Sequence, residues 1–538
     1  MAALDVDDLR ISLQGRVLVD GVSFTIRDGR RTCLLGASGS GKSLIARAIV
    51  GQLPAGAVAT GSIKVHGVEV LGVPTAKRLP VARPAMVFQD SAVALNPLVR
   101  VREQLAHPLR RHRSLARAEA HRAAAELGER VGLPAHLLEA FPQELSGGQR
   151  QRACIALALA CEARLLVADE PTTALDVVTQ AHVLDVLASE TAAAERLSVL
   201  FITHDFAVAA AMCTDAIILD NGHVVESGPL REIFRRPQNG STQALVRAAR
   251  TASLESARRP GPPDVASKPT ETTAAFFDVA GLSKSFPPRF RKARVQSADE
   301  PALERVGLHP TDLAIARSER VGIVGVSGSG KTTLLRIMLG LEHSDSGRVR
   351  CDEQTIRPAN SGELRWYRRR VQYVPQDPAN TLDPRMEVRD LVAEPLESLG
   401  YDGDREAAVV DALECVGLNR SHLARRRNEL SGGQAQRVAI ARAIVVRPDF
   451  LLADEPVSGL DLPTRERVVG LLTRLADERG MGLLIVSHDL SVVASLCHRT
   501  LVLHDGRVIE DRRTLDLLRN PRHARTRELL AAIPPLPF

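Results

Sequence analysis

Arg31-Thr-Cys-Leu-Leu-Gly-Ala-Ser-Gly-Ser-Gly-Lys-Ser-Leu-Ile-Ala-Arg-Ala-Ile-Val50 decides the fold class. Arg31 to Leu35 reads as a buried strand, Gly36 to Ser43 as a glycine-rich turn, and Leu44 to Val50 as an apolar helix. This is the strand, loop, helix setting of a phosphate-binding P-loop. In the turn formed by Gly36, Ser38, Gly39, Ser40 and Gly41, backbone N–H groups face the β- and γ-phosphates of a nucleotide. Lys42 neutralises phosphate charge and the Ser43 hydroxyl is a ligand for Mg2+. Kinases, GTPases and many ATPases share such a loop, so what surrounds it must discriminate.

Working outward, the strand Ala85 to Phe88 ends at Gln89, a polar strand end whose meaning comes from its order along the chain. The apolar strand of Leu165 ends in Asp169-Glu170-Pro171. The first carboxylate can hold Mg2+ and the second can act as general base on the attacking water. Ser198 to Ile202, the next strand, delivers His204 to where it can touch a γ-phosphate. Between Gln89 and Asp169 lies Leu145-Ser-Gly-Gly-Gln-Arg-Gln-Arg152, with a helical run from Gln149 to Ala160. Ser146 is a good N-cap, Gly148 lets a ligand approach the main chain, and the helix dipole favours an anion beside Gln149. The basic run Gln104 to Gly132 is helical in pattern, and its His107, His112 and His121 are not spaced four apart. They read as a solvated face, not a metal site.

All of this occurs twice. A second loop, Gly325, Ser327, Gly328, Ser329, Gly330, Lys331, Thr332 and Thr333, is followed by Gln376, then Ser431, Gly433 and Gln434. Asp454 and Glu455, and finally His488, complete the second set. The spacing between copies runs only from 284 residues (His204 to His488) to 289 (Lys42 to Lys331), so one whole domain is duplicated. Thr251 to Thr273 is rich in proline and polar residues and lacks apolar periodicity, as in an extended linker. The expected organisation is a domain at 1–250, a linker at 251–274 and a second domain at 275–538.

At 538 residues the chain exceeds one core, in agreement with that division. Only 3% of residues are aromatic, which argues against base-stacking surfaces for single-stranded nucleic acid, and no nucleic-acid partner is expected. The seven cysteines form no Cys-x-x-Cys pair, so reduced thiols are expected. Met1 to Asp8 is acidic, unlike a signal peptide, and charges interrupt each apolar stretch before it reaches membrane-spanning length. A membrane process served by this chain therefore needs another chain in the membrane.

The ordered set resembles an ATP-binding cassette (ABC) ATPase with two nucleotide-binding domains in tandem. The resemblance implies an α/β fold of two P-loop NTPase domains, each with a RecA-like core, an antiparallel β subdomain and an α-helical signature subdomain. It implies ATP and Mg2+, with Ser43, Gln89 and Asp169, and Thr332, Gln376 and Asp454, around the metal. Glu170, Glu455, His204 and His488 would be catalytic. It also implies that the two domains pair within the chain, each P-loop facing the other's signature, with Asp176 and Asp461 at the seam. The segments after Gln89 and Gln376, Ala393-Glu-Pro-Leu, and the tail from Asn520 look like the peptide/nickel importer ATPases. That group serves oligopeptide, dipeptide, glutathione or nickel uptake at the cytoplasmic face of the cell membrane, with integral permease subunits and an extracytoplasmic solute-binding protein. The basic charge would also suit a tandem cassette acting on ribosomes or nucleic acid, but the short Pro-rich linker speaks against it, and import and export share these motifs. Leu13 stands where the family often stacks an aromatic on adenine, while Phe286 is available in the second half. Ser285 to Pro301 and His309 to Asp312 read as inserted loops.

Overall fold

Leu165–Asp169 and Ser198–Ile202 are buried at every residue, the pattern of strands covered on both faces. In the computed structural model, which describes residues 2–37, 39–89, 91–172, 175–193, 197–251, 253, 275–286, 305–358 and 362–536, they lie inside a six-stranded sheet. Its order is His223–Pro229, Asp215–Asp220, Arg31–Gly36, Ser198–Ile202, Leu165–Asp169 and Ala85–Val87. All neighbours are parallel except His223–Pro229, which runs antiparallel to Asp215–Asp220. Because the inner strands are parallel, their carboxyl ends share one edge, where α/β sheets bind ligands. The P-loop, Gln89, Asp169-Glu170 and His204 all follow strands at that edge.

A four-stranded antiparallel sheet, Arg16–Arg27, Ala2–Leu13, Ala57–Val65 and Val68–Glu69, belongs to the same unit. Its first two strands, 12 residues each, are joined by the two-residue turn Gln14-Gly15, with φ of 50° and 79°. Two positive φ values suit a type I′ hairpin, and Gly15 adopts one without a Cβ penalty. The core joins Leu4 and Ile11 of this sheet to Ile45 and Ile49 of helix Lys42–Val50 and to Leu34, Val167 and Leu200 of the main sheet. The Gln104–Gly132 run forms two helices, Val101–Arg113 and Arg117–Arg130, the first ending at Ser114 with φ 53°. Both pack on the signature helix Gly147–Ala160.

The chain divides into two compact units, and the second repeats the first in strand order. Its main sheet runs Val371–Val374, Phe450–Asp454, Gly482–Val486, Arg320–Val324, Arg499–His504 and Arg507–Arg513. Its antiparallel sheet runs Arg305–Ile315, Phe277–Phe286, Ser346–Cys351 and Gln354–Ile356. Aromatic rings fill more of this core: Phe276 stacks on Phe450 at 5.6 Å, and the Arg317 and Arg370 guanidinium groups lie 5.0 and 5.2 Å from the Phe276 ring centroid.

His309 to Asp312 is not an inserted loop. It lies within the strand Arg305–Ile315, where Thr311, Leu313 and Ile315 are buried and Asp312 and Ala314 exposed, the period-two alternation of a half-buried strand. Pro310 is exposed beside a register shift in the pairing, where a residue without an N–H is tolerated. Ser285 and Phe286 likewise end a strand, and 287–304, like nearly all of the expected linker, lies outside the described residues. Among the described residues no helix is long and apolar enough to cross a membrane, and no cluster of His, Cys, Asp and Glu has the make-up of a metal site.

Candidate active site

Each P-loop leaves its strand through a glycine that nothing larger can replace. A Cβ on Gly36 would lie 2.2 Å from the Leu219 carbonyl oxygen, and one on Gly325 2.2 Å from that of Leu503. Gly41 and Gly330 then cap the following helices at φ 104° and 101°, a backbone conformation costly for other residues. Lys42 is 6% exposed, and its Nζ donates to the carbonyls of Gly36 (2.9 Å) and Ala37 (2.8 Å). Lys331 repeats this toward Gly325 and Val326, both at 2.8 Å. Burial pulls the Lys42 ammonium below its ordinary pKa, and the charges of Glu170 and Asp169 work against that pull. Ser40 and Ser329 are buried, Ser327 is exposed, and Ser38 lies outside the described residues.

The Ser43 hydroxyl donates to Asp169 Oδ1 at 3.2 Å, and the Thr332 hydroxyl to Asp454 Oδ2 at 3.3 Å. Neighbouring ligands of an octahedral ion with bonds of about 2.0–2.1 Å stand about 2.9 Å apart, so these oxygen pairs fit Mg2+ with little movement. Burial, and after it the adjacent glutamate, pushes the Asp454 pKa up; burial is also the main cause of the rise at Asp169. A buried carboxylate whose charge is disfavoured is the kind of group a cation would relieve.

Glu170 and Glu455 have φ of 45° and 49°, left-handed values that cost a residue with a side chain about 1–3 kcal/mol. Each is held there by its own N–H, which donates to the next strand: Glu170 to the Ile202 carbonyl at 3.0 Å, and Glu455 to that of Val486 at 2.8 Å. The turn aims each carboxylate between two side chains. Gln89 Nε2 donates to Glu170 Oε2 at 3.2 Å, and His204 Nδ1 lies 3.2 Å from Oε1. In the second unit Gln376 lies at 3.1 Å and His488 at 2.9 Å from Glu455. Burial alone would lower the His204 and His488 pKa values, but the bonded glutamates raise both. Burial would raise Glu455, but the hydrogen bond and charge of His488, with Lys331 and Gln376, carry it below the usual carboxylate range. Each site thus presents an oriented carboxylate next to a cationic phosphate cradle, an arrangement suited to activating water at a phosphoryl group.

Ser146 caps the signature helix: its Oγ accepts the Gln149 N–H at 3.3 Å, while Gln149 Oε1 accepts the Ser146 N–H at 2.9 Å. Ser431 and Gln434 repeat the pair at 3.2 and 2.9 Å. In this reciprocal capping box the first turn keeps other N–H groups for an anion. A Cβ on Gly148 would come within 2.9 Å of Thr179 Cγ2, and one on Gly433 within 2.7 Å of Thr464 Cγ2. Thr179 is in turn bonded to Asp176 at 3.0 Å, and Asp176 also accepts its N–H at 3.1 Å. Asp176 therefore ties the helix Val177–Ala193 to the signature; Asp461 stands at the start of the helix Leu462–Arg479.

Sequence reasoning missed two features. Thr179 and Thr464 carry no motif and become visible only when the helices pack. Asp205 and Asp489, directly after the histidines, cap the helices Phe206–Met212 and Leu490–Leu496, and an Asp before an apolar helical run could have revealed them. The end of the first antiparallel hairpin is aliphatic, with Leu13 half-buried and Val17 57% exposed. In the second unit the Phe286 ring lies against Gly307, with Lys284 Nζ 5.7 Å from its centroid.

The model of the family described as "ABC transporter" matches residues 19–173 and 308–458, spanning a P-loop, a signature and a carboxylate pair each time. The chain belongs to the ABC transporter family. Each unit carries the ATPase machinery of that family, so this ABC protein binds ATP and is an ATPase. It is 37% identical to the peptidoglycan transport ATP-binding protein YejF of Agrobacterium fabrum, over 98% of this chain and 96% of that one. It is 35% identical to the glutathione import ATP-binding protein GsiA of Escherichia coli, over 99% and 89%. With the oligopeptide transport ATP-binding protein OppD of Mycobacterium tuberculosis it shares 34% identity over 99% and 98%.

Proposed function

We propose that this ABC protein is the ATP-hydrolysing subunit of an importer for peptides or related small solutes, seated on the cytoplasmic face of the membrane. The observation that carries the reading is the doubled Gln–Glu–His arrangement behind two P-loops, in a chain that aligns nearly end to end with transport and import ATP-binding proteins. Domains at 1–250 and 275–538, joined by 251–274, are its functional units. They pair within the chain, so that Ser431, Gly433 and Gln434 complete the site of Lys42, and Ser146, Gly148 and Gln149 that of Lys331. Integral membrane permeases are the mechanical partners, and an extracytoplasmic solute-binding protein supplies cargo.

In each site Lys42 or Lys331 leaves its carbonyl partners for the phosphates, which the P-loop N–H groups also bind. Ser43 with Asp169, and Thr332 with Asp454, would hold Mg2+, with Gln89 and Gln376 beside them; the ion supplies charge neutralisation at the β- and γ-phosphates. Glu170 and Glu455 accept the proton of the attacking water, and His204 and His488 fix the carboxylate and face the γ-phosphate. ATP between the units holds them closed and its hydrolysis releases them, which moves the permeases.

The test is uptake. Cells lacking this chain should lose accumulation of labelled dipeptide, oligopeptide, glutathione or peptidoglycan fragments, and the wild-type chain should restore it. A chain carrying Glu170→Gln and Glu455→Gln should not. Normal uptake of all four solutes without the chain would refute the importer assignment.

A further inference from the structure

The two histidines that face the glutamates are not held alike. His488 stands between Ser487, whose N–H donates to the Ile323 carbonyl at 3.0 Å, and Asp489, whose N–H donates to the Ser487 hydroxyl at 3.0 Å. The Asp489 carboxylate is fixed at both oxygens. Oδ1 accepts the Ser491 N–H at 2.8 Å and the Ser491 hydroxyl at 2.6 Å, and Oδ2 meets Arg465 Nη1 at 2.5 Å. Arg465 Nη2 donates to the Ser491 hydroxyl oxygen as well, so the three side chains close a ring. Arg465 reaches in from the helix Leu462–Arg479, and only 16% of its side chain is exposed.

The first unit has the capping aspartate without the ring. Asp205 Oδ1 accepts the Ala207 and Val208 N–H groups at 2.7 and 3.4 Å. Among the described residues Oδ2 has no hydrogen-bond partner and no cation lies within 4.0 Å of the carboxylate. Thr179 and Thr464, each packed on its signature glycine, are 285 residues apart, and at that spacing Arg465 corresponds to Gln180. His204 and His488 are 284 residues apart, so Ser491 corresponds to Ala207. The guanidinium and the hydroxyl are thus both present in one unit and both absent from the other. The bonds that place the histidine follow the same division. The Thr203 N–H reaches the Leu34 carbonyl at 3.3 Å, the Asp205 N–H reaches the Thr203 hydroxyl at 3.1 Å, and His204 lies 3.2 Å from Glu170, against 3.0, 3.0 and 2.9 Å in the second unit.

We propose that Arg465, acting through Asp489, is a positioning residue for His488, and that the site of Lys331 and Glu455 therefore hydrolyses ATP faster than the site of Lys42 and Glu170. The proposal rests on the roles given above to the glutamates and histidines, and adds to them a rank order of the two sites and the residue that sets it. A carboxylate held at one oxygen by backbone N–H groups can still turn about its Cβ–Cγ bond. One gripped at both oxygens by charge-assisted bonds cannot, and the peptide that joins it to the histidine is fixed with it. A ring already in place needs no ordering when the glutamate, the water and the γ-phosphate come together, so the gain falls on the chemical step. Arg465 has its contacts with Asp489 and Ser491 and not with the P-loop, so ATP affinity is not its concern.

The experiment reads each site alone in the full chain by replacing the base of the other: Glu170→Gln leaves the second site working and Glu455→Gln the first. Phosphate release against ATP concentration should give a kcat at least about threefold higher for the second site. Arg465→Gln added to the Glu170→Gln chain should lower kcat by about three- to tenfold and keep KM within about twofold. Gln180→Arg with Ala207→Ser added to the Glu455→Gln chain should raise its kcat at least about twofold, a gain that a folding defect cannot imitate. Equal kcat at the two sites, no gain from the paired substitution, or an Arg465→Gln effect confined to KM overturns the inference and leaves the catalytic reading intact. Turnover equal to wild type in the Glu170→Gln, Glu455→Gln chain, or no turnover in either single variant, overturns that reading and the inference together.

Discussion

Removing both histidines, His204→Ala with His488→Ala, tests the catalytic geometry most sharply. Each ring nitrogen lies 3.2 or 2.9 Å from its glutamate, and the side chains of His488 and Glu455 are only 26% and 14% exposed. A charge-assisted hydrogen bond of this kind contributes about 1.5–3 kcal/mol. Taking the lower half of that range for a pair partly reached by water, the loss is about 1.5–2 kcal/mol per site, or about 10- to 30-fold in turnover. The signature of the mechanism is in the pH profile. His488 has a raised pKa, so its contribution is complete below the ordinary 6.5 and fades as pH climbs through the raised value. Glu455 has a lowered one, so its contribution is complete above the ordinary 4.5 and fades as pH falls through the lowered value. Without the imidazole the glutamate loses the partner that holds it down, and the acidic limb of the rate profile should move to higher pH. Phosphate release at saturating ATP between pH 5 and 9 measures both effects. A double variant within threefold of wild type, or an acidic limb that does not move, refutes the role given to the histidines.

Other outcomes follow from the same geometry. Gly36→Ala or Gly325→Ala drives a Cβ to 2.2 Å from a backbone carbonyl that cannot swing aside, so urea unfolding should show a loss of about 3 kcal/mol in the affected unit. Asp489 is held at a pKa of about 2, where burial is overcome by Arg465 at 2.5 Å and by Ser491. Its contribution of roughly 2 kcal/mol is present above the ordinary 3.8 and lost as pH falls toward 2, so Asp489→Ala should destabilise the chain at pH 7 but hardly at pH 2, as acid titration of unfolding will read. Ser146→Arg should impair hydrolysis of the nucleotide held by Lys331 and spare the one held by Lys42; site-resolved nucleotide trapping with the opposite result would refute the head-to-tail pairing.

Much of this was legible along the chain because the chemistry is local. Strand, loop and helix of each P-loop are contiguous, and Ser146 stands directly before its helical run, so the P-loop and the N-cap both read directly from the sequence. Glu170 and Gln89 could be ordered but not joined, since their 3.2 Å contact depends on two strands becoming neighbours across the sheet. The left-handed turn at Glu170 was hidden for a different reason: no propensity marks a glutamate for positive φ, and the hydrogen bond to Ile202 that holds it there joins residues far apart in the chain. His309 to Asp312 looked like inserted loop because its place in a strand depends on pairing with a distant one, and Pro310 is accommodated at an exposed position beside a register shift.

The central claim is that one chain holds two complete hydrolytic sites. Nucleotide stoichiometry and turnover of the purified Glu170→Gln, Glu455→Gln chain test it most directly, because substitution of the base should spare binding. Two ATP molecules should be retained per chain and turnover lowered at least about a thousandfold, with each single substitution leaving the other site chemically competent. Retention of one ATP per chain, or turnover equal to wild type, would contradict it.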